Sequence, residues 1–327
     1  MFKDTVYKVY ALSGLDLLTK MFRSAPAVLF YHGVGINPNP LIETESVDVN
    51  DFLLHLKYLK KHYNIISVKE FEQRYEEQNW QGEEVLLTFD DGYKNIHSTA
   101  LPILEDYKFP FLLFATTNNI ENNFLFPTTI SRLVVLASSL KRLKLETQFI
   151  DVVLNDDSRI QVANKVSMML KTLPIDQVNN LVDELVGLIS EDEYQTLREK
   201  YSSVNPMSWD ELKKVSESPL CTIGSHALDH ICCHAKQSES ELRHQIVDSR
   251  CVLQDKLGIT CDYFAYPNGN YTDISNEIVK DAGYKLGFST KRLPINAMTR
   301  WNIPRLYVPY DYSRFVYSIV NYPRILV

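Results

Sequence analysis

The chain has 327 residues, 45% of them hydrophobic and 23% charged, proportions that exclude a disordered chain and leave room for one large α/β core or two modest domains. Its 34 basic and 41 acidic side chains give a formal charge of −7. That balance, with no dense Lys/Arg patch, argues against nucleic acid as a partner, because phosphate binding needs a positive field.

The first predicted element lies in residues 1–24. An amphipathic helix over 5–23 places Val6, Val9, Leu12, Leu15 and Leu18 broadly on one side. It either packs on the body of the protein or rests on a membrane surface. The N-terminus lacks the continuous apolar run of a signal peptide, and no segment reaches the roughly 20 apolar residues of a membrane span. A cytoplasmic, possibly membrane-peripheral location is the resulting expectation. The five cysteines (Cys221, Cys232, Cys233, Cys251, Cys261) are odd in number and form no C-x-x-C pair, so they read as reduced thiols.

From residue 25 the pattern is strand and helix in alternation. Strands are predicted at 27–31, 64–68, 84–89 and 109–115, with helices at 49–63 and 97–107 between them. The rhythm breaks over 118–205, which shows helical stretches at 129–143 and 177–188 and reads as a mainly helical insertion, a lid or plain padding. It resumes with helices at 208–217, 238–257 and 273–282 and strands at 220–223, 262–266, 286–289 and 305–308. About seven βα units exceed the needs of a small doubly wound sheet and favour a barrel, complete or incomplete. Polar residues at the strand C-termini then face the usual active-site end.

Four segments carry candidate chemistry. In Thr88-Phe89-Asp90-Asp91-Gly92 two carboxylates stand side by side before a glycine that permits a tight turn. Such a pair is costly unless a cation shares it, although a surface turn or helix cap also favours Asp. In Ser225-His226-Ala227-Leu228-Asp229-His230 the two histidines are four apart, so one helical turn brings both rings to one face, with Gly224 letting the preceding strand turn. Two imidazoles and a carboxylate suit a divalent metal with a position open for water; a pair of surface histidines is the plainer alternative. Phe264-Ala265-Tyr266-Pro267-Asn268-Gly269 ends an apolar strand in a loop whose N–H groups can face a ligand. Trp301-Asn302-Ile303-Pro304-Arg305 supplies a cation and an aromatic platform.

In this order, and each at a strand end, the segments resemble the polysaccharide-deacetylase family, also called the NodB-homology or carbohydrate esterase 4 family. The resemblance covers 28–117 and 208–308 and leaves the insertion outside. It implies an α/β fold, a distorted, incomplete (β/α) barrel, occupying 25–327 and interrupted at 118–205. It also implies metal-dependent removal of acetate from an N-acetylhexosamine in a polysaccharide or lipid-linked sugar. By similarity Asp90 is the catalytic base, Asp91, His226 and His230 are the metal ligands, and the N–H of Asn268 faces the oxyanion. Arg305, in a late Pro-Arg pair, is expected to orient Asp90 and hold its pKa low. The opening VLFYHGV is similar to the first strand of deacetylases acting on bacterial surface polysaccharides.

The chain departs from the family in two places. Ala265 stands where the family loop has arginine, and no histidine follows His244, so the late histidine that protonates the leaving amine is missing. His32, at the end of the first strand, is the substitute by placement, with Asp90 or water as other donors. Zinc is the expected metal, with cobalt or nickel possible. Tyr93, Tyr266 and Trp301 are either sugar-stacking platforms or packing. Two other readings are an O-acetyl esterase and a carbohydrate-binding protein with a vestigial metal site.

Overall fold

The computed structural model describes residues 6–8, 25–291 and 299–321. The expected N-terminal helix lies outside these residues, apart from a helical turn at 6–8.

Eight strands follow one ladder order. They are β1 (Ala27–Tyr31), β2 (Glu84–Phe89), β3 (Phe111–Ala115), β4 (Cys221–Ser225), β5 (Tyr263–Ala265), β6 (Leu286–Ser289), β7 (Ile303–Pro304) and β8 (Leu306–Tyr307). The order is β7-β6-β5-β4-β3-β2-β1-β8, and every neighbouring pair is parallel. A ninth, two-residue strand, Asn64–Ile65, pairs with the start of β2. Only Arg305 separates β7 from β8. Ile303–Pro304 pairs with β6 and Leu306–Tyr307 with β1, so one short segment bridges the two edges while no ladder seals them. The result is a nearly closed, incomplete parallel barrel with helical additions, the distorted (β/α) barrel that the alternation and the resemblance implied.

The strands read as unbroken apolar runs because both faces are covered. All residues of β1, β2 and β3 are buried. Alternate side chains converge on one cluster that includes Val28, Leu86, Leu112, Phe114, Phe288 and Ile303. The opposite faces, with Leu29, Leu87, Phe89, Leu113 and Phe264, join a larger core with the surrounding helices. At about 25 cal/mol per Å² of apolar surface, such two-sided burial is the main source of stability. Gly224 lies within β4, against the ring of Phe114, where a Cβ would come within 2.6 Å of Cδ1. Its role is close packing of β4 on β3, not the turn expected of it.

Residues 117–205 hold helices at Thr117–Asn122, Pro127–Arg132, Asp156–Leu170, Ile175–Val186 and Glu191–Lys200. The helix expected over 129–143 ends at Ala137, and an antiparallel hairpin follows, Arg142–Leu145 with Ile150–Val153. Its signature is period two: Leu143 and Leu145 are buried while Arg142 and Lys144 are exposed. The four-residue strand was too short to stand out beside the longer helical pattern.

Candidate active site

Because the strands run parallel, their C-terminal ends form one rim. His32 follows β1, Asp90 and Asp91 follow β2, His226 follows β4 and Asn268 follows β5. Asp90 donates its backbone N–H to Tyr31 O (2.9 Å) and His226 donates to Ala115 O (2.9 Å), which continues the ladders one residue past the strands. Asp91 then turns at φ 73° and Gly92 at φ 86°, the tight geometry that the Asp-Asp-Gly segment suggested. The two carboxylates therefore leave the rim in different directions.

The histidines meet in another way than expected. Residues 226–230 form an extended loop, not a helical turn. Left-handed backbone at Ala227 (φ 67°) and His230 (φ 54°) folds the loop so that the rings sit 5.0 Å apart. Asp229 braces the loop between Asn118 Nδ2 and Gln245 Nε2, each 2.7 Å away. Asp91, Ala227, His230 and Asn268 are four of nine non-glycine residues with positive φ among the described ones. Each left-handed non-glycine costs about 1–2 kcal/mol, and strain gathered at one place marks function more often than chance.

The result is a compact donor set. One ligand atom from each of Asp91, His226 and His230 lies within 4.8 Å of the others. Asp91 Oδ1 is 3.5 Å from His226 Nε2 and 3.3 Å from His230 Nε2, and it is buried with no hydrogen-bond partner. His226 Nδ1 donates to Ala265 O at 2.8 Å, which leaves Nε2 unprotonated and directed at Asp91. Burial holds the imidazole of His226 down to about 4 and that of His230 well below its ordinary value, so both rings are neutral. Burial, with the neighbouring Asp90 adding to it, pushes Asp91 up to about 7, a shift that a shared cation reverses. An orphaned carboxylate oxygen facing two neutral imidazoles fits a divalent metal.

Asp90 lies beside this triad but outside it, with Oδ2 3.9 Å from His226 Nε2. Arg305 holds it by a fork of two hydrogen bonds, Nη1 to Oδ1 at 2.6 Å and Nη2 to Oδ2 at 2.7 Å. Thr88 Oγ1 accepts a third from Arg305 Nη1 at 3.2 Å, and the rings of Phe30 and Phe114 flank the guanidinium. Burial alone disfavours the ionised carboxyl; the Arg305 charge outweighs it and holds Asp90 down to about 2.

A cavity of about 250 Å³ opens over the rim, lined by Asp90, Asp91, His226, His230, His32, Tyr93 and Asn268 among others. His32 Nδ1 stands 3.4 Å from Glu45 Oε2. Tyr93 is buried, edge-on to Phe126. Asn268 is exposed at φ 56° on the turn Pro267–Gly269. For two of the aromatic residues, packing is the arrangement observed. The Tyr266 ring is fully buried against Phe264 and Tyr271 and its hydroxyl donates to Asn276 Oδ1 at 2.7 Å, so it offers no face to a sugar. Trp301 lies outside the cavity lining and packs on the large core. Glu45, Phe126, Thr128 and Lys171 also line the cavity. Their segments carry no motif; only the fold brings them to the rim.

A partly open parallel barrel with an Asp-His-His triad at its C-terminal rim defines the class, a metal-dependent hydrolase. The profile of the polysaccharide deacetylase family matches residues 77–287, and the chain belongs to that family. Three solved structures share the fold. The deacetylase PplD of Streptococcus pyogenes, solved with acetate, is 16% identical with a TM-score of 0.58, covering 90% of this chain and 97% of that one. IcaB of Ammonifex degensii is 19% identical at a TM-score of 0.57, covering 91% and 97%. A de-N-acetylase of Aggregatibacter actinomycetemcomitans is 16% identical at 0.54, covering 88% and 95%. No curated protein sequence matches the chain.

Family and triad together make this chain an enzyme that deacetylates an N-acetylated sugar with the help of a metal, its substrate a glycan. The expected cytoplasmic, possibly membrane-peripheral location is overturned by the likeness to PplD and IcaB. All five cysteines are free, and that expectation stands without fixing a compartment. Among the described residues no helix is long and apolar enough to cross a membrane.

Proposed function

We propose that the chain removes the acetyl group from an N-acetylhexosamine in a polysaccharide or lipid-linked glycan, with Asp90 as base and zinc, or else cobalt or nickel, on Asp91, His226 and His230. We take 25–327 as one catalytic domain carrying 118–205 as an insertion. The observation that carries the proposal is the division of labour between adjacent carboxylates: Asp91 faces two imidazoles while Arg305 holds Asp90 apart and ionised. A divalent cation in the triad supplies Lewis acidity, which polarises the acetamide carbonyl and brings the pKa of water from about 15.7 toward about 7.

Asp90 takes the proton of the attacking water. Both its oxygens keep a lone pair beyond the bonds to Arg305, and its low pKa lets the proton leave again once the amide breaks. The N–H of Asn268 faces the negative charge that grows on the carbonyl oxygen, a contact that contributes about 3 kcal/mol in comparable sites. His32, set against Glu45, hands a proton to the departing amine, with Asp90 as the second donor. Tyr93 borders the sugar, and its burial makes it a wall more than a stacking platform. Acetate and a free amino sugar are the products.

Incubation of the purified chain and zinc with short N-acetylglucosamine oligomers tests the proposal. Acetate is expected to appear in step with new amino groups. Release from O-acetylated xylan with none from N-acetyl sugars would replace it with an esterase.

A further inference from the structure

Two side cavities flank the catalytic one. The first is bordered by Ser46, Arg132 and Ser167; the second is an apolar groove bordered by Leu170, Leu173, Ile175 and Val178. Thr128 and Lys171, both from the segment expected as an insertion, line all three spaces. They stand where the three meet. Lys171 directly follows the helix Asp156–Leu170 and is half-buried.

No carboxylate pairs with Lys171 among the described residues. The acidic groups nearby are engaged elsewhere: Glu43 accepts from the Asn39 N–H and the Ser203 hydroxyl, Glu45 faces His32, and Asp229 is held by Asn118 and Gln245. Arg132, the other cation at the junction, donates to Leu41 O and Asn164 Oδ1. A half-buried ammonium without a counter-charge is unfavourable. Here it also stands beside a triad built for a second cation, which repels it. A neutral hydroxyl on the substrate is served equally well by an uncharged side chain; an ammonium in this place matches an anion.

We infer that Lys171 and Thr128 form an anion subsite, so that the natural glycan carries a phosphate or carboxylate on the acetylated sugar or on its neighbour. The inference rests on the deacetylase reading above and narrows its substrate class. The anion lies over the junction, paired with the ammonium and accepting a hydrogen bond from the Thr128 hydroxyl.

Calorimetric titration of the zinc-loaded full chain with N-acetylglucosamine, its 6-phosphate, and a disaccharide pairing N-acetylglucosamine with glucuronate tests this. At least one charged ligand is expected to bind about tenfold tighter than the neutral sugar, which corresponds to roughly 1.4 kcal/mol for one charge-assisted contact. That preference should vanish in Lys171→Gln and persist in Lys171→Arg, with the unfolding temperature of each variant checked alongside. Whether phosphate or carboxylate is preferred identifies the source of the charge. Equal binding of all three sugars, or a preference unchanged in Lys171→Gln, overturns the inference. Acetate release from the neutral oligomers is scored separately. Its absence on every glycan would end the deacetylase reading, while the binding comparison would still decide Lys171.

Discussion

Arg305 and Asp90 face each other through two parallel hydrogen bonds of 2.6 and 2.7 Å, both groups almost fully buried. The contact spans the chain from β2 to the short segment that bridges the barrel edges. The arginine that orients the carboxylate is thus also the residue at which the last strand changes partner, from β6 to β1. Closure of the fold and preparation of the base depend on one side chain.

Arg305→Met is expected to destabilise the chain by about 3 kcal/mol, because it leaves a buried carboxylate without its counter-charge. Adding Asp90→Asn should restore part of that loss, as the charge then disappears with its partner. Arg305→Lys keeps the charge but not the fork, and turnover is expected to fall about 100-fold with misplacement of Asp90. Urea unfolding of the single and double variants, beside initial rates, checks both statements.

His226→Ala removes a ligand whose tautomer is set by Ala265 O. Loss of a supporting group alone weakens a metal site by about 10–100-fold, so loss of the ligand should exceed that. The wild type should gain about 2.7 kcal/mol of stability at zinc one hundred times above its dissociation constant. His226→Ala and Asp91→Asn should gain almost nothing at that zinc concentration. Thermal unfolding with and without zinc reads this directly, and a chelator should abolish activity reversibly.

His32→Ala is expected to slow amide hydrolysis by about 10²–10⁴, the usual worth of a proton donor in the transition state. The acetate ester of nitrophenol, whose leaving group needs no proton, should be cleaved by the variant at close to the wild-type rate. Glu45→Gln should show the same pattern more weakly, because Glu45 acts only through His32. Equal slowing on both substrates would assign His32 to binding instead.

His55 offers a test of pH-dependent stability away from the site. It is stacked on Phe315 at 4.1 Å, and burial drives its imidazole from 6.5 down to about 3. The folded chain therefore resists a proton that the unfolded chain accepts below pH 6.5. No stability is lost above that value; the loss grows as the pH falls from 6.5 toward about 3, then levels off. Whatever His55→Phe costs at neutral pH, its urea midpoint should fall less than the wild type's between about pH 7 and about pH 4.5.

Much of the barrel was legible because parallel strands covered on both faces leave runs such as AVLFY and EVLLTF, and the triad was legible because Asp91, His226 and His230 sit in short motifs at strand ends. The hairpin at 142–153 was not, since four residues of alternation are outweighed by the helical pattern around them. The loop carrying His226 and His230 was read as a helical turn because spacing alone cannot separate a turn of helix from a loop folded by left-handed residues at Ala227 and His230. Tyr266 shows the converse limit. An aromatic residue next to a site motif is placed by its strand, and alternation turned this one into the core. Lys171 and Glu45 are 126 positions apart in sequence, and only the fold brings both to the wall of one cavity.

The proposed chemistry needs a base distinct from the ligands of the cation, and Asp90→Asn separates the two. Zinc content and acetate release are to be measured on the same preparation, wild type and variant side by side. Full zinc occupancy with turnover reduced by about 10⁴ or more is the expected result, the scale seen when a catalytic acid–base group is lost. Wild-type turnover in a zinc-loaded variant, or loss of zinc along with activity, would contradict it.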